Sequence, residues 1–288
     1  MNYMKIIKAI SILFIVIIAL PVFSSQTATG SKNLILDFKP SEEKSIQQKN
    51  RIQRILKQFD QLKINNDSVV SISTTIRALA LTSKAFNYTG KGDVEFWMRT
   101  AIDFARTARA MGSSVKAIAL RVHNGPVNAA LNSVALQLSE IEAGTSGNVD
   151  YWMQRTKDIH DQVHNLRDEL LSLSNVLGNE TMHTHTALRV LVIMMTSSSY
   201  EGYGNINYWL RATRNISLLS QSCGQALESL AQQVPEPLYT VLLNYVNQLL
   251  DSSANGNGDI DYWRDKAKEV SVTLDNIGIS VLMVSKKV

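Results

Sequence analysis

One hexapeptide, recurring four times at nearly constant spacing, limits this chain more than any other feature. It reads Gly92-Asp93-Val94-Glu95-Phe96-Trp97, Gly147-Asn148-Val149-Asp150-Tyr151-Trp152, Gly204-Asn205-Ile206-Asn207-Tyr208-Trp209 and Gly258-Asp259-Ile260-Asp261-Tyr262-Trp263, and it holds all 4 tryptophans of the 288-residue sequence. The tryptophans stand 55, 57 and 54 residues apart. Self-similarity at a period of that length marks an array of supersecondary units.

The chemistry of the motif fits the start of a helix. Asp or Asn can cap the free backbone N–H groups of a first turn, and the acid or amide two residues on sits where the helix dipole favours negative charge. The preceding Gly suits the left-handed residue that closes an earlier helix. The motif therefore predicts the corner of an αα-hairpin.

Downstream of each corner, apolar residues recur at alternating spacings of three and four, as one face of a helix requires. Val94, Trp97, Ala101, Phe104, Ala108, Met111, Val115, Ile118 and Val122 form the first such stripe, and the other three keep the same register to Leu177, Val234 and Val288. Four helices of roughly 29 residues are predicted, each about 43 Å long. Gly112, Gly224 and Gly278 interrupt three of them and mark places for a bend or break. Shorter apolar-periodic segments lie upstream, around Leu79, Val134, Leu191 and Tyr245, each 18 residues before its tryptophan.

The expected fold is all-α: four tandem αα-hairpin repeats of about 55 residues, at 67–122, 123–177, 178–234 and 235–288. They are arranged as an α-solenoid or an elongated multi-helix bundle. Residues 42–66 read as an amphipathic capping helix ahead of the array, and 26–41 as a linker.

Lys5 and Lys8 precede the apolar run Ala9 to Phe23, which ends in small polar residues. Residues 1–25 thus read as a signal peptide, since about 15 apolar residues fall short of the roughly 20 a spanning helix needs. The expected location is extracellular or periplasmic, with an uncleaved N-terminal membrane anchor as the alternative and no stable membrane insertion after cleavage. The sole cysteine, Cys223, has no partner in the chain, so core packing must hold the fold. A formal net charge of +4 argues against a nucleic-acid partner, whose phosphates call for clustered cations.

No phosphate-cradling loop, nucleophile elbow or Cys–His pair is found, and nothing calls for a cofactor. The leading expectation is a non-enzymatic binding module for a protein or an extended glycan or peptide. Its candidate residues are Phe96, Tyr151, Tyr208 and Tyr262, which lie about 100° around the helix from the apolar stripe and would align as a ladder in stacked repeats. An exported metal-dependent enzyme is the alternative, resting on His160 and His164, one helical turn apart as in a zinc site. Against it, the other repeats place Ala105, Ser217 and Ser271 where His160 stands, on the polar flank. A membrane-active protein is the third reading, resting on the apolar segment Ala187 to Met195, whose other reading is burial at the centre of the array.

Overall fold

The computed structural model describes residues 68–285. The predicted signal peptide, linker and capping helix lie outside the described residues. Those described are mostly helical, with one short two-stranded ribbon.

Each long helix begins immediately after the Asp or Asn of the motif, because that side chain closes its first turn. The four are α2 (Val94–Ala119), α4 (Val149–Val176), α6 (Ile206–Ala231) and α8 (Ile260–Ser285). They alternate with the shorter α1 (Ile72–Leu81), α3 (Gly125–Ser139), α5 (Thr184–Met195) and α7 (Leu238–Leu250). Strands β1 (Val69–Ser71) and β2 (Thr181–His183) precede α1 and α5.

The predicted stripes are mostly buried from the indole onward, whereas their first members Val94, Ile206 and Ile260 are exposed and Val288 lies outside the described residues. All four indoles are buried, and one turn on from them Ala101, Thr156, Thr213 and Ala267 are fully buried. These small residues let the long helices approach closely in pairs. Thr156 Oγ1 of α4 donates to the Trp97 carbonyl of α2 at 3.3 Å, and Thr213 Oγ1 of α6 to the Trp263 carbonyl of α8 at 3.1 Å.

The long helices run through the three glycines without a break. Gly112 and Gly224 are instead crossing points. A Cβ on Gly112 would lie 2.8 Å from the Ala135 carbonyl of α3, and one on Gly224 3.1 Å from the Leu249 Cβ of α7. Glycine at these sites gives up about 1 kcal/mol of helix propensity and gains a close helix–helix contact.

A solenoid keeps each unit in contact with its chain neighbours alone. Here α1 packs on α4 and α6, α5 packs on α2 and α8, and α2 packs on α6, so contacts skip a unit. The pairing is reciprocal. Strands β1 and β2 run antiparallel with Val70 opposite Met182, and the Ile72 amide donates to the Glu180 carbonyl (3.0 Å) as the Thr184 amide does to that of Ser68 (2.9 Å). Equivalent residues are 112 positions apart, the separation of Asp93 from Asn205 and of Asp103 from Asn215, which touch one another. Within the described residues, two segments thus meet as two copies do in an isologous dimer. The apolar helix α5 lies inside this arrangement, with Leu188, Leu191, Met194 and Met195 fully buried.

Candidate functional site

Each corner is assembled by its own motif. The Asp93, Asn148, Asn205 and Asp259 side chains accept from the backbone N–H three residues on, at 3.1, 3.0, 3.2 and 3.0 Å. The donor is always the aromatic residue, and capping thereby fixes the start of its side chain. The ring folds back across the corner loop, where a Cβ on Gly92, Gly147, Gly204 or Gly258 would fall 2.2–2.4 Å from it. Close approach of the ring is therefore what glycine serves at these positions.

The left-handed residue lies elsewhere in the loop. It is Gly90, Gly144, Gly202 or Gly256, with φ of 138°, 111°, 128° and 142°. The motif glycine, expected in that role from the sequence, does not take it. The second glycine of each corner, two or three residues upstream, is the sequence signal for that turn.

From the sequence, the aromatic and the indole are expected on separate faces of the helix. In the structure they touch edge to face, with centroids 5.1–5.2 Å apart at all four corners. The four rings then divide into two kinds. Phe96 and Tyr208 are buried (1% and 4% exposed), whereas Tyr151 and Tyr262 remain open (40% and 37%). A continuous four-ring face is therefore not presented to a ligand.

Two buried arginines make the difference. The Arg99 guanidinium of α2 lies 5.0 Å above the Tyr208 ring and donates to the Tyr208 hydroxyl (3.0 Å) and to the carbonyls of Glu201 (2.8 Å) and Ser199. Arg211 of α6 lies 4.9 Å above Phe96 and donates to the carbonyls of Thr89 (3.2 Å) and Asn87. Ring, arginine and carbonyls exchange in full between the two halves. An arginine two residues after tryptophan occurs only in the first and third motifs; Gln154 and Asp265 stand there in the others. That alternation is visible in the sequence and marks the inner pair.

Charge between the halves is unequal. Arg99 Nε donates to Asp103 Oδ2 at 2.8 Å, and although burial opposes its charge, Asp103 and the Tyr208 phenol raise its pKa overall. Arg211 has Asn215 four residues on where Arg99 has Asp103, its buried Nε has no hydrogen-bond partner, and burial lowers its pKa to about 10. Asn215 Nδ2 turns instead to Asp103 Oδ2 (2.9 Å). At the corners, Asp93 Oδ2 accepts from Asn205 Nδ2 (2.8 Å) and Asn207 Nδ2 (2.9 Å), and Glu95 accepts from the Asn205 amide. Burial pushes the Asp93 carboxyl up, but the hydrogen bonds from Asn207, the Phe96 amide and Asn205 outweigh it and hold it below the ordinary range.

His160 and His164 stack at 4.0 Å, and Tyr88 meets His160 edge-on at 4.6 Å. His160 Nδ1 lies 2.9 Å from Asp161 Oδ1, and His164 Nδ1 2.9 Å from the His160 carbonyl. Burial, chiefly, lowers the His164 pKa. Among the described residues no group of three His, Cys, Asp or Glu side chains is placed to hold a metal ion. No described helix is long and apolar enough to cross a membrane.

The fourth corner borders a cavity of about 440 Å³ beneath its loop, lined by Ile206, Leu210 and Arg214 of α6, by Trp263 and by residues 254–258. In comparison with known proteins, no family model, no curated protein and no solved structure matches the chain.

Proposed function

We propose that this chain is an exported helical-repeat protein that acts as a binding module, without catalysis, through its two outer corners. The observation that carries the reading is the double use of one motif. Where the halves meet, the aromatic ring is spent on an internal contact; at Tyr151 and Tyr262 the same ring, on the same capped loop, keeps 40% and 37% of its surface. A large side chain held by its own backbone offers contact area at little cost in conformational entropy.

The wider architecture in this proposal is four αα-hairpins of about 55 residues, 67–122, 123–177, 178–234 and 235–288, joined two and two. This favours the bundle over the open solenoid. Export would follow from cleavage of residues 1–25 and place the module outside the cell or in the periplasm. Its ligand is a protein or an extended peptide or glycan.

The test is capture by the mature chain from the surrounding extracellular or periplasmic fraction. Tyr151→Ser with Tyr262→Ser should abolish it, while Tyr203→Ser, at a residue 89% exposed outside the corner motif, should leave it intact. Capture that survives loss of both outer rings would sink the reading.

A further inference from the structure

We propose that the fourth corner is a receptor for a guanidinium group, specifically an arginine side chain of a protein partner; the proposal rests on the binding-module reading above. The ground is that one frame, built twice around an arginine inside this molecule, is built again at the surface. At the third corner the Tyr208 hydroxyl donates to the Glu201 carbonyl at 3.3 Å, and the Glu201 amide to Ser199 Oγ at 3.1 Å. At the fourth the Tyr262 hydroxyl donates to the Asn255 carbonyl at 3.4 Å, and the Asn255 amide to Ser253 Oγ at 3.1 Å. The glycines that follow, Gly202 and Gly256, share the left-handed turn at φ 128° and 142°. The same two carbonyls and the same ring face are therefore set out, and at the third corner these are the groups that receive Arg99.

Guanidinium is the cation this frame selects. It is planar, so it can lie over a ring while its N–H fork reaches two carbonyls at the loop, which a compact ammonium cannot do together. The first corner, around Phe96, takes Arg211 in the same way, so the ring and carbonyls suffice without the phenol. One local substitution bears on the match: Ala254 stands where the third corner has Tyr200. The Tyr200 ring is directed to Lys268 at 5.8 Å, so its loss leaves the guanidinium contacts unaltered.

Charge points the same way. Asp259 and Asp261 occupy the places of Asp93 and Glu95, the acids that accept amide donors from the segment bringing Arg211. Asp265 adds a further carboxylate, while Arg264 engages Asp261 on the surface at 2.8 Å. A second copy of this chain would present Gln154 or Asp265 at the matching positions of its own outer corners and bring no guanidinium there. At the second corner the loop is one residue longer between its two glycines, Gly144 and Gly147, and Arg155 of the same helix donates to the Glu142 carbonyl at 3.0 Å, so the spacing of the third corner is kept at the fourth and not at the second.

The experiment is an NMR titration of the mature chain with acetyl-arginine amide, using acetyl-lysine amide and acetyl-citrulline amide as matched probes. Arginine amide should shift the Gly256, Gly258 and Tyr262 amide signals saturably in the millimolar range. Lysine amide should bind at least about threefold more weakly, and citrulline amide should leave those signals in place. Tyr262→Phe should keep the response and Tyr262→Ala should lose it, with unchanged signals from the buried helices reporting an intact fold. No shift at the corner, equal shifts with lysine amide, or a response that survives Tyr262→Ala overturns the proposal. Should outer-corner capture depend on the tyrosines while arginine amide fails to bind, the module stands and this ligand falls. Arginine amide binding with tyrosine-independent capture gives the reverse.

Discussion

Asp275 lies on α8, where burial pushes its carboxyl up to about 6 from an ordinary 3.8. In the unfolded chain the group loses its proton near 3.8 and in the folded chain near 6, so between those values the folded state holds more protons and stability falls as pH rises. Asp275→Asn should therefore raise the unfolding free energy read from urea titration by about 1–2 kcal/mol at neutral pH and leave it nearly unchanged at about pH 3. An equal gain at both pH values would show that burial of the charge is not the cause. Cys223 presents the same physics with a different outcome. Fully buried in α6, its thiol is pushed up to about 12, so it carries almost no thiolate at pH 8. Alkylation by iodoacetamide should be slow in native protein and prompt in urea; prompt labelling without urea would mean that the α6 seam opens readily.

Among the helices, two glycines that look alike in sequence should behave differently. At Gly112 a new Cβ would meet the Ala135 carbonyl at 2.8 Å, and backbone there has no room to yield. At Gly278 the nearest atom is the Met195 Cβ at 3.2 Å, where a shift of a few tenths of an ångström suffices. Gly112→Ala should cost about 1–3 kcal/mol in spite of its better helix propensity, whereas Gly278→Ala should be near neutral, both read from urea unfolding. The opposite order would remove the crossing-point explanation. Helix positions and caps were legible in the sequence because both are local: a stripe of apolar side chains needs only its own period, and Asp93 reaches a donor three residues away. The glycine roles were not, because a spacing cannot say whether a missing Cβ serves a bend, a turn or a neighbour's backbone. Nor could it say which helices α1 and α5 would cover, since those partners lie a unit away along the chain. Of the four candidate rings, the motif and its spacing placed all at corners but could not divide them into inner and outer. Only the arginines at 99 and 211, against Gln154 and Asp265, carried that distinction.

At the scale of the whole chain, the two halves differ where they touch. Asp103 meets Asn215, Asp93 meets Asn205 and Asn207, and at each contact the acid belongs to the first half and the amide to the second. An identical pair of halves would bring carboxylate against carboxylate at these distances, so the two have to differ where they meet. Asn205→Asp should accordingly destabilise the fold by about 2 kcal/mol at neutral pH, although Asp caps a helix as well as Asn does, because its oxygen would stand 2.8 Å from Asp93 Oδ2. Asp93→Asn alone removes the acceptor for two amides and should cost about 1–2 kcal/mol. The double variant moves the acid to the opposite half and restores the pair, so its cost should fall short of the sum by at least about 1 kcal/mol. Raising the salt concentration should soften the single Asn205→Asp penalty more than that of the double variant. Simple additivity in this cycle would mean that the two corners do not meet face to face, and the reciprocal packing of the two halves would have to be given up.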